Sequence, residues 1–280
     1  MIYWIWLTQI PFIGPVTTRY LIKELGDAEK IYQADYKFLS GISGLSARQR
    51  ESIIRNHSLE KAKRIMDDCQ NKNISILCWN DERYPLRARK PADAPPMLYY
   101  KGNIKKMDQT VGIVGARRCS QEAKQETVFL ASEYAKTRIA VVSGMAKGID
   151  SYAHTACLNA GGYTIAILGN GLDICYPSEH HKLMKCIEEK GLLLSEYPPG
   201  TPPSRYTFPR RNRLISSWSD KLIIIQQEIW EESGNESGNI EKPLRFKMKI
   251  VIINKKQTEC RKQKLRKINK KSIKGHEGYE

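Results

Sequence analysis

The stretch VGIVGARRCSQEAKQETVFLASEYAKTRIAVVSGMAKGIDSYAH, residues 111–154, decides the fold. It opens with a short apolar run, Val111–Val114, that stops at Gly115. Ala123, Thr127, Leu130, Ala131, Tyr134 and Ala135 then recur at helical spacing and predict one buried stripe on a helix over Gln121–Lys136. A second apolar run, Ile139–Val142, ends in a second glycine-containing loop and leads into a helix over Asp150–Ala160. The cycle repeats downstream: strand Thr164–Leu168 and helix Glu179–Glu189, strand Leu192–Leu194, then a helix over Leu214–Ser219 and a strand over Lys221–Ile225. Strands alternating with helices of this length imply right-handed βαβ units and a parallel sheet. Continuous rather than alternating apolarity in the strands fits burial on both faces. The expected class is α/β, a Rossmann-like parallel sheet.

Working outward, residues 1–72 read as a small helical module of the SAM or helix-hairpin-helix kind, with helices over Val16–Leu25, Ala28–Ala34, Ala47–Asn56 and Leu59–Asn71. Gly14-Pro15 and Gly41–Gly44 sit where such units turn and offer backbone N–H groups to a phosphate, although glycines also serve simply as helix stops. Residues 73–108 read as a Pro-rich connector that opens with an apolar strand over Ile74–Trp79, 109–239 as a C-terminally incomplete Rossmann-like domain, and 240–280 as a basic tail expected to be disordered. The net charge of +16 is concentrated in that tail, with 14 Lys and Arg against 4 Asp and Glu, leaving 32 against 26 for residues 1–239. Such a run attracts polyanions without selectivity, so function has to be argued from the folded part.

Several classes are disfavoured. The apolar start Met1–Leu7 lacks a basic n-region, and no later run reaches the roughly 20 residues that cross a bilayer, so a cytoplasmic protein without a membrane partner is expected. Seven cysteines without a CxxC pair and five histidines at no metal-like spacing predict neither a metal nor a disulfide framework. Neither GxGxxG after the first strand nor GxxxxGK[ST] occurs, and no cofactor is expected.

In a doubly wound sheet, ligands sit beyond the carboxyl ends of the strands. Here those loops read Gly115-Ala116-Arg117-Arg118, Ser143-Gly144-Met145-Ala146-Lys147-Gly148, Gly169-Asn170-Gly171 and Ser195-Glu196. Glycine lets the backbone approach an anion, and the following helix presents free N–H groups. Arg117, Arg118 and Lys147 add charge, and Arg205-Tyr206-Thr207-Phe208-Pro209-Arg210-Arg211-Asn212-Arg213 adds four arginines interleaved with aromatic rings, suited to phosphates and stacked bases. Glycines at strand ends also merely permit turns, and arginine clusters also occur as solvated faces. The coincidence of both at one sheet edge favours a site. Asp150, His154 and Glu196 specify no nucleophile–base–orienter set; Asp150 reads as a helix cap and His154 as a satisfied, partly buried histidine.

Five ordered segments, GIVGARRCS (112–120), SGMAKGIDSYAH (143–154), GNGLDICYP (169–177), LLSEYPPG (193–200) and FPRRNRLIS (208–216), resemble the signature of the DNA-processing protein A (DprA/Smf) family over about residues 1–226. The resemblance implies a protein that binds single-stranded DNA independently of sequence during natural transformation and helps load RecA, with no enzyme activity. It would place the strand along Gly115, Arg117, Ser143, Gly144, Lys147, Gly148, Phe208, Arg210, Arg211, Asn212 and Arg213, and the charge reading of the same edge adds Arg118 and Arg205. RecA and a second copy of the chain are the other implied partners, through a part of the fold beyond Gln226 where this sequence departs from the family pattern and reads as shifted or degenerate. Only Lys249–Ile253 can supply a further strand there, at an edge. The rival reading is a nucleotide or nucleoside-phosphate hydrolase on the same loops, and the PGGxGT string of the phosphoribohydrolases is absent.

Overall fold

A computed structural model of the chain describes residues 1–230 and 245–254. Six helices come first: α1 (Ile2–Thr8), α2 (Pro15–Leu25), α3 (Ala28–Gln33), α4 (Tyr36–Ser40), α5 (Ala47–Arg55) and α6 (Glu60–Asn71). Their starts follow local chemistry. Asp27 and Asp35 accept from the first-turn amides of α3 and α4, and Ser46 with Gln49 forms a capping box on α5. Helix α1 carries no polar face, because Trp4, Ile5, Trp6 and Leu7 are all buried.

The chain then runs β1 (Ser75–Cys78), α7 (Leu86–Arg89), β2 (Met97–Gly102), β3 (Thr110–Gly115), α8 (Gln121–Lys136), β4 (Ala140–Ser143), α9 (Ile149–Asn159), β5 (Thr164–Leu168), a 3-10 turn at Ser178–His180, and α10 (His181–Lys190). It continues through β6 (Leu192–Ser195), α11 (Thr207–Trp218), β7 (Lys221–Trp230) and β8 (Arg245–Asn254). The strands form one sheet in the order β1-β2-β6-β5-β4-β3-β7-β8. The central five, β6 to β7, are parallel; β1 and β2 extend one end antiparallel, and β8 pairs antiparallel with β7 at the other. The expected α/β architecture, a Rossmann-like parallel sheet after a helical module, is therefore present. Alternate residues of β5 divide between two apolar clusters, Ile165 and Ile167 facing α11 and Ala166 and Leu168 facing the helical module and α10. That two-sided burial is why its sequence is a continuous apolar run.

Helices α1, α4 and α7 lie outside the elements read from periodicity, and three further differences each have a physical reason. The Pro-rich segment 73–108 does more than connect, since β2 pairs with β6 from Tyr99↔Ser195 to Gly102↔Leu192 and buries Met97, Leu98 and Tyr99. Helix α11 begins at Thr207 rather than Leu214. Pro209 reads as a breaker but lies in the first turn, where its missing N–H has no intrahelical partner to lose. At the C-terminal side, the strand allowed at Lys249–Ile253 is present and longer, Arg245–Asn254, so these residues belong to the sheet and not to a solvated tail. Residues 240–244 and 255–280 of the expected tail lie outside the described residues. Among the described residues no helix is long and apolar enough to cross a membrane.

The helical module shares its core with the sheet: Trp4, Leu7, Leu21 and Ile53 lie in one cluster with Met97, Tyr99, Leu168 and Leu193. Leu7 is fully buried in it. Leu7→Ala is expected to cost about 2–5 kcal/mol, and chemical denaturation should show that loss in a single transition; a separate early transition of the module would contradict the shared core.

Candidate nucleic-acid interface

The parallel strands β3, β4, β5 and β6 end at Gly115, Ser143, Leu168 and Ser195, and the loops that follow them gather at one edge. Their framework is a buried ionic clamp. Arg211, on the second turn of α11, is buried, and its Nη1 donates to the carbonyl oxygens of Gly144 and of Ile167, the latter at 2.6 Å. From the other side, Asp150 Oδ2 accepts from the Gly144 amide at 3.1 Å and the Ala146 amide at 3.4 Å. The Gly144 backbone is thus held at both its N–H and its carbonyl oxygen. Burial pushes the Asp150 carboxyl up and the Arg211 guanidinium down, and the charge of each opposes the other's shift. Asp150 does not cap its helix: the N-cap of α9 is Gly148, and the carboxylate turns back to the loop instead. A side chain at Gly144 would collide with the Arg211 guanidinium, and Gly148 adopts φ +77 where an added β-carbon would strike the Ala116 and Arg117 carbonyls. Ser143 is buried and donates to the Ile113 carbonyl at 2.6 Å. Gly115 lies against Ile149 and Ile225.

His154 is buried beneath this loop. Thr164 Oγ1 donates to the Val141 carbonyl at 2.8 Å, so the 2.6 Å contact between that hydroxyl and His154 Nδ1 requires the ring to carry its proton on Nδ1. Nε2 has no partner among the described residues, and burial lowers the imidazole to about 3, helped by the Arg211 charge. Glu196, mostly buried, receives both its oxygens' partners from Arg213 Nη2 at 2.7 and 2.6 Å, with Arg210 at 3.8 Å. Burial raises its carboxyl and the two arginines oppose that.

The candidate residues therefore separate into two sets. Gly115, Ser143, Gly144, Gly148 and Arg211 shape the loops from within, and Arg213 is half-buried on Glu196. Arg117, Arg118, Lys147, Arg205, Arg210 and Asn212 are exposed, and Phe208 is half-buried among them. Among the described residues no carboxylate lies within ion-pair distance of Arg117, Arg118 or Arg205, whereas Lys147 pairs with Glu179 at 2.7 Å. The Arg117 guanidinium stands 5.7 Å from the Phe208 ring centroid, and Tyr176 packs against that ring at 5.5 Å and 32°. A cavity of about 560 Å³ opens between Arg117, Tyr176, Arg205, Phe208 and Asn212. A narrower one of about 50 Å³ shares Arg117, Tyr176 and Phe208 and reaches Gly144 and Asn170. Tyr176 is the member that sequence reasoning passed over. It stands in the GNGLDICYP motif, but only the fold carries it to Phe208. Among the described residues no cluster of His, Cys, Asp and Glu is placed to hold a metal ion.

Comparison with known proteins bears on this edge. The profile of a family described as DNA recombination-mediator protein A matches residues 75–263, past Gln226, where the motif-by-motif resemblance ends, and through β8. Protein Smf of Synechocystis sp. is 33% identical over 80% of this chain and 58% of its own length, so the chain spans little more than half of that relative. DNA processing protein DprA of Streptococcus pneumoniae is 33% identical over 76% of this chain and 75% of its own. The X-ray structure of DprA from that species superposes with a TM-score of 0.63 at 30% identity, covering 80% of this chain and 76% of that one. DNA processing protein A from Helicobacter pylori, solved for its single-stranded DNA binding mode, superposes with a TM-score of 0.50 at 37% identity over 54% of this chain and 68% of its own.

The buried histidine sets a pH dependence. Folded, His154 takes up a proton near pH 3, against 6.5 ordinarily, so its contribution is fully present above pH 6.5 and is lost as pH falls toward 3. Between pH 6.5 and 5 the loss should be roughly 2 kcal/mol, and His154→Gln should flatten that slope in denaturation titrations; an unchanged slope would assign it to other groups.

Proposed function

Because the chain belongs to the DNA recombination-mediator protein A family, we propose that it binds single-stranded DNA, without sequence preference, across the carboxyl edge of its parallel sheet. One observation carries this reading: Arg117 lies exposed, without a carboxylate partner among the described residues, beside an aromatic pair formed by Phe208 and Tyr176 that lines an open cavity. A cation next to ring faces suits a backbone phosphate and a stacked base together. Arg118, Lys147, Arg205, Arg210 and Asn212 extend the positive, polar rim, and the Lys147–Glu179 pair is exposed enough to be exchanged for a phosphate at little cost. Gly115, Ser143, Gly144, Gly148, Arg211 and Arg213 serve the same strand indirectly, by holding the loops in shape.

The single-stranded DNA binding mode of the Helicobacter pylori protein supports the assignment of the ligand. In the cell the reading places the chain in the cytoplasm, in DNA uptake, with transfer of the strand to RecA and pairing with a second copy as further parts of the proposal. A binding role rather than hydrolysis is supported by the fate of the ionisable candidates. Asp150 is engaged with backbone amides, His154 is buried and neutral, and Glu196 is shared by two arginines.

Binding of the full-length chain to labelled oligo-dT, with a duplex control and a salt series, tests this. Arg117→Glu should leave the fold intact and weaken single-strand binding at least about tenfold, with a log–log salt slope shallower by about 0.7 for each phosphate that is no longer neutralised. Phe208→Ala should weaken binding by about 1–3 kcal/mol. Unaltered affinity in Arg117→Glu, or equal affinity for duplex, would refute the interface.

A further inference from the structure

The helical module carries an aromatic side chain whose placement its own fold does not explain. Phe12, in the turn between α1 and α2, adopts φ +64 although it is neither glycine nor asparagine, and it is 54% exposed. A bulky residue in the left-handed region is strained and persists only where neighbours over-determine it. Here they do. Gln49 Nε2 donates to the Phe12 carbonyl at 3.2 Å and to Thr17 Oγ1 at 3.0 Å, and Ser52 Oγ donates to the Pro11 carbonyl at 2.7 Å. The turn is pinned from α5 while the ring it carries stays more than half exposed. Burial of the ring cannot be what the strain secures.

What surrounds the ring resembles the sheet-edge site. The Arg48 guanidinium stands 3.6 Å from the Phe12 centroid, and among the described residues no carboxylate is paired with it. Phe12 also lines a cavity of about 460 Å³ between the module and the loop after β6, together with Gly14, Glu196, Tyr197, Pro198 and Arg210. That volume suits a ligand of nucleotide size. The Tyr197 phenol oxygen has no partner among the described residues, and the Glu196 carboxylate is already neutralised by Arg213 and Arg210. Arg210 links the two places: it borders this cavity, while Phe208, Pro209 and Asn212, on the same first turns of α11, border the cavity at the sheet edge.

We propose that the Phe12–Arg48 pair and its cavity form a second nucleotide subsite, in which a strand leaving the sheet edge past Arg210 stacks a base on Phe12 and sets a phosphate on Arg48. The subsite rests on the single-stranded DNA reading given above. It makes the module part of the binding surface and makes affinity depend on strand length.

Two oligo-dT lengths separate the subsite from that reading: one of about 6 nucleotides, confined to one site, and one of about 20, able to span both. Phe12→Gly suits the test because glycine adopts the left-handed backbone without strain, so its melting temperature should not fall below that of the wild-type chain. It should weaken the longer strand roughly 5- to 150-fold, the range one stacked base supplies, and leave the shorter one unchanged. Arg48→Glu, on an exposed side chain, should repeat that pattern. Arg117→Glu should weaken both lengths. If Phe12→Gly and Arg48→Glu affect both lengths equally, or neither, while Arg117→Glu weakens both, the subsite is overturned and the sheet-edge site stands. If Arg117→Glu affects neither length, the sheet-edge reading fails, and the subsite with it.

Discussion

The grip of Arg211 and Asp150 on the Gly144 backbone is the interaction on which the candidate interface depends. It joins α11, the loop after β4 and the end of β5, three elements that are distant in sequence and that meet only at the carboxyl edge of the sheet. Taking a guanidinium and a carboxylate out of water costs several kcal/mol for each ion, repaid only where their remaining donors and acceptors are satisfied. Here the satisfaction comes from backbone groups of the loop and of β5, so the hydrogen bonds that satisfy the buried charges also fix the loop's shape. The glycine follows from this, since the guanidinium occupies the space a β-carbon would need.

A rigid loop framework changes what the remaining cations can do. Arg117 and Arg205 project from backbone that is already held, near Phe208 and Tyr176, so binding a strand need order only their side chains. Preorganisation of this kind lowers the entropy lost on association. The same logic extends to the turn at Phe12, where hydrogen bonds from α5 hold a strained backbone and leave its ring exposed. Both places couple a rigid, polar-braced backbone to an exposed ring and a cation without a carboxylate partner.

The module and the sheet are joined by one apolar cluster, which bears on how the two places can act together. Helix α1 is buried between its own module and the sheet side of the core, and β2 brings Met97 and Tyr99 into the same cluster. A strand touching both therefore meets surfaces whose spacing is set by packing and not by a tether.

Much of the fold was legible in the sequence. Each parallel strand announced itself as a short apolar run ending at a loop, because burial on both faces removes the polar alternation that would obscure it, and the helices between them showed their buried stripes. The glycine-rich loops and the arginine cluster were likewise legible as one sheet edge, since strand order and handedness bring those loops together. What periodicity missed were places where a local signal has two meanings: Pro209, a breaker in mid-helix but harmless in a first turn, and the prolines around Met97–Gly102, which mask a strand paired to β6. The sequence by itself determined which residue types gather at the edge. Only the tertiary structure decided which of them face solvent, because Arg211 and Arg117 are chemically identical side chains, and burial between α11 and the loop after β4 turns one into a structural brace while the other stays exposed to solvent.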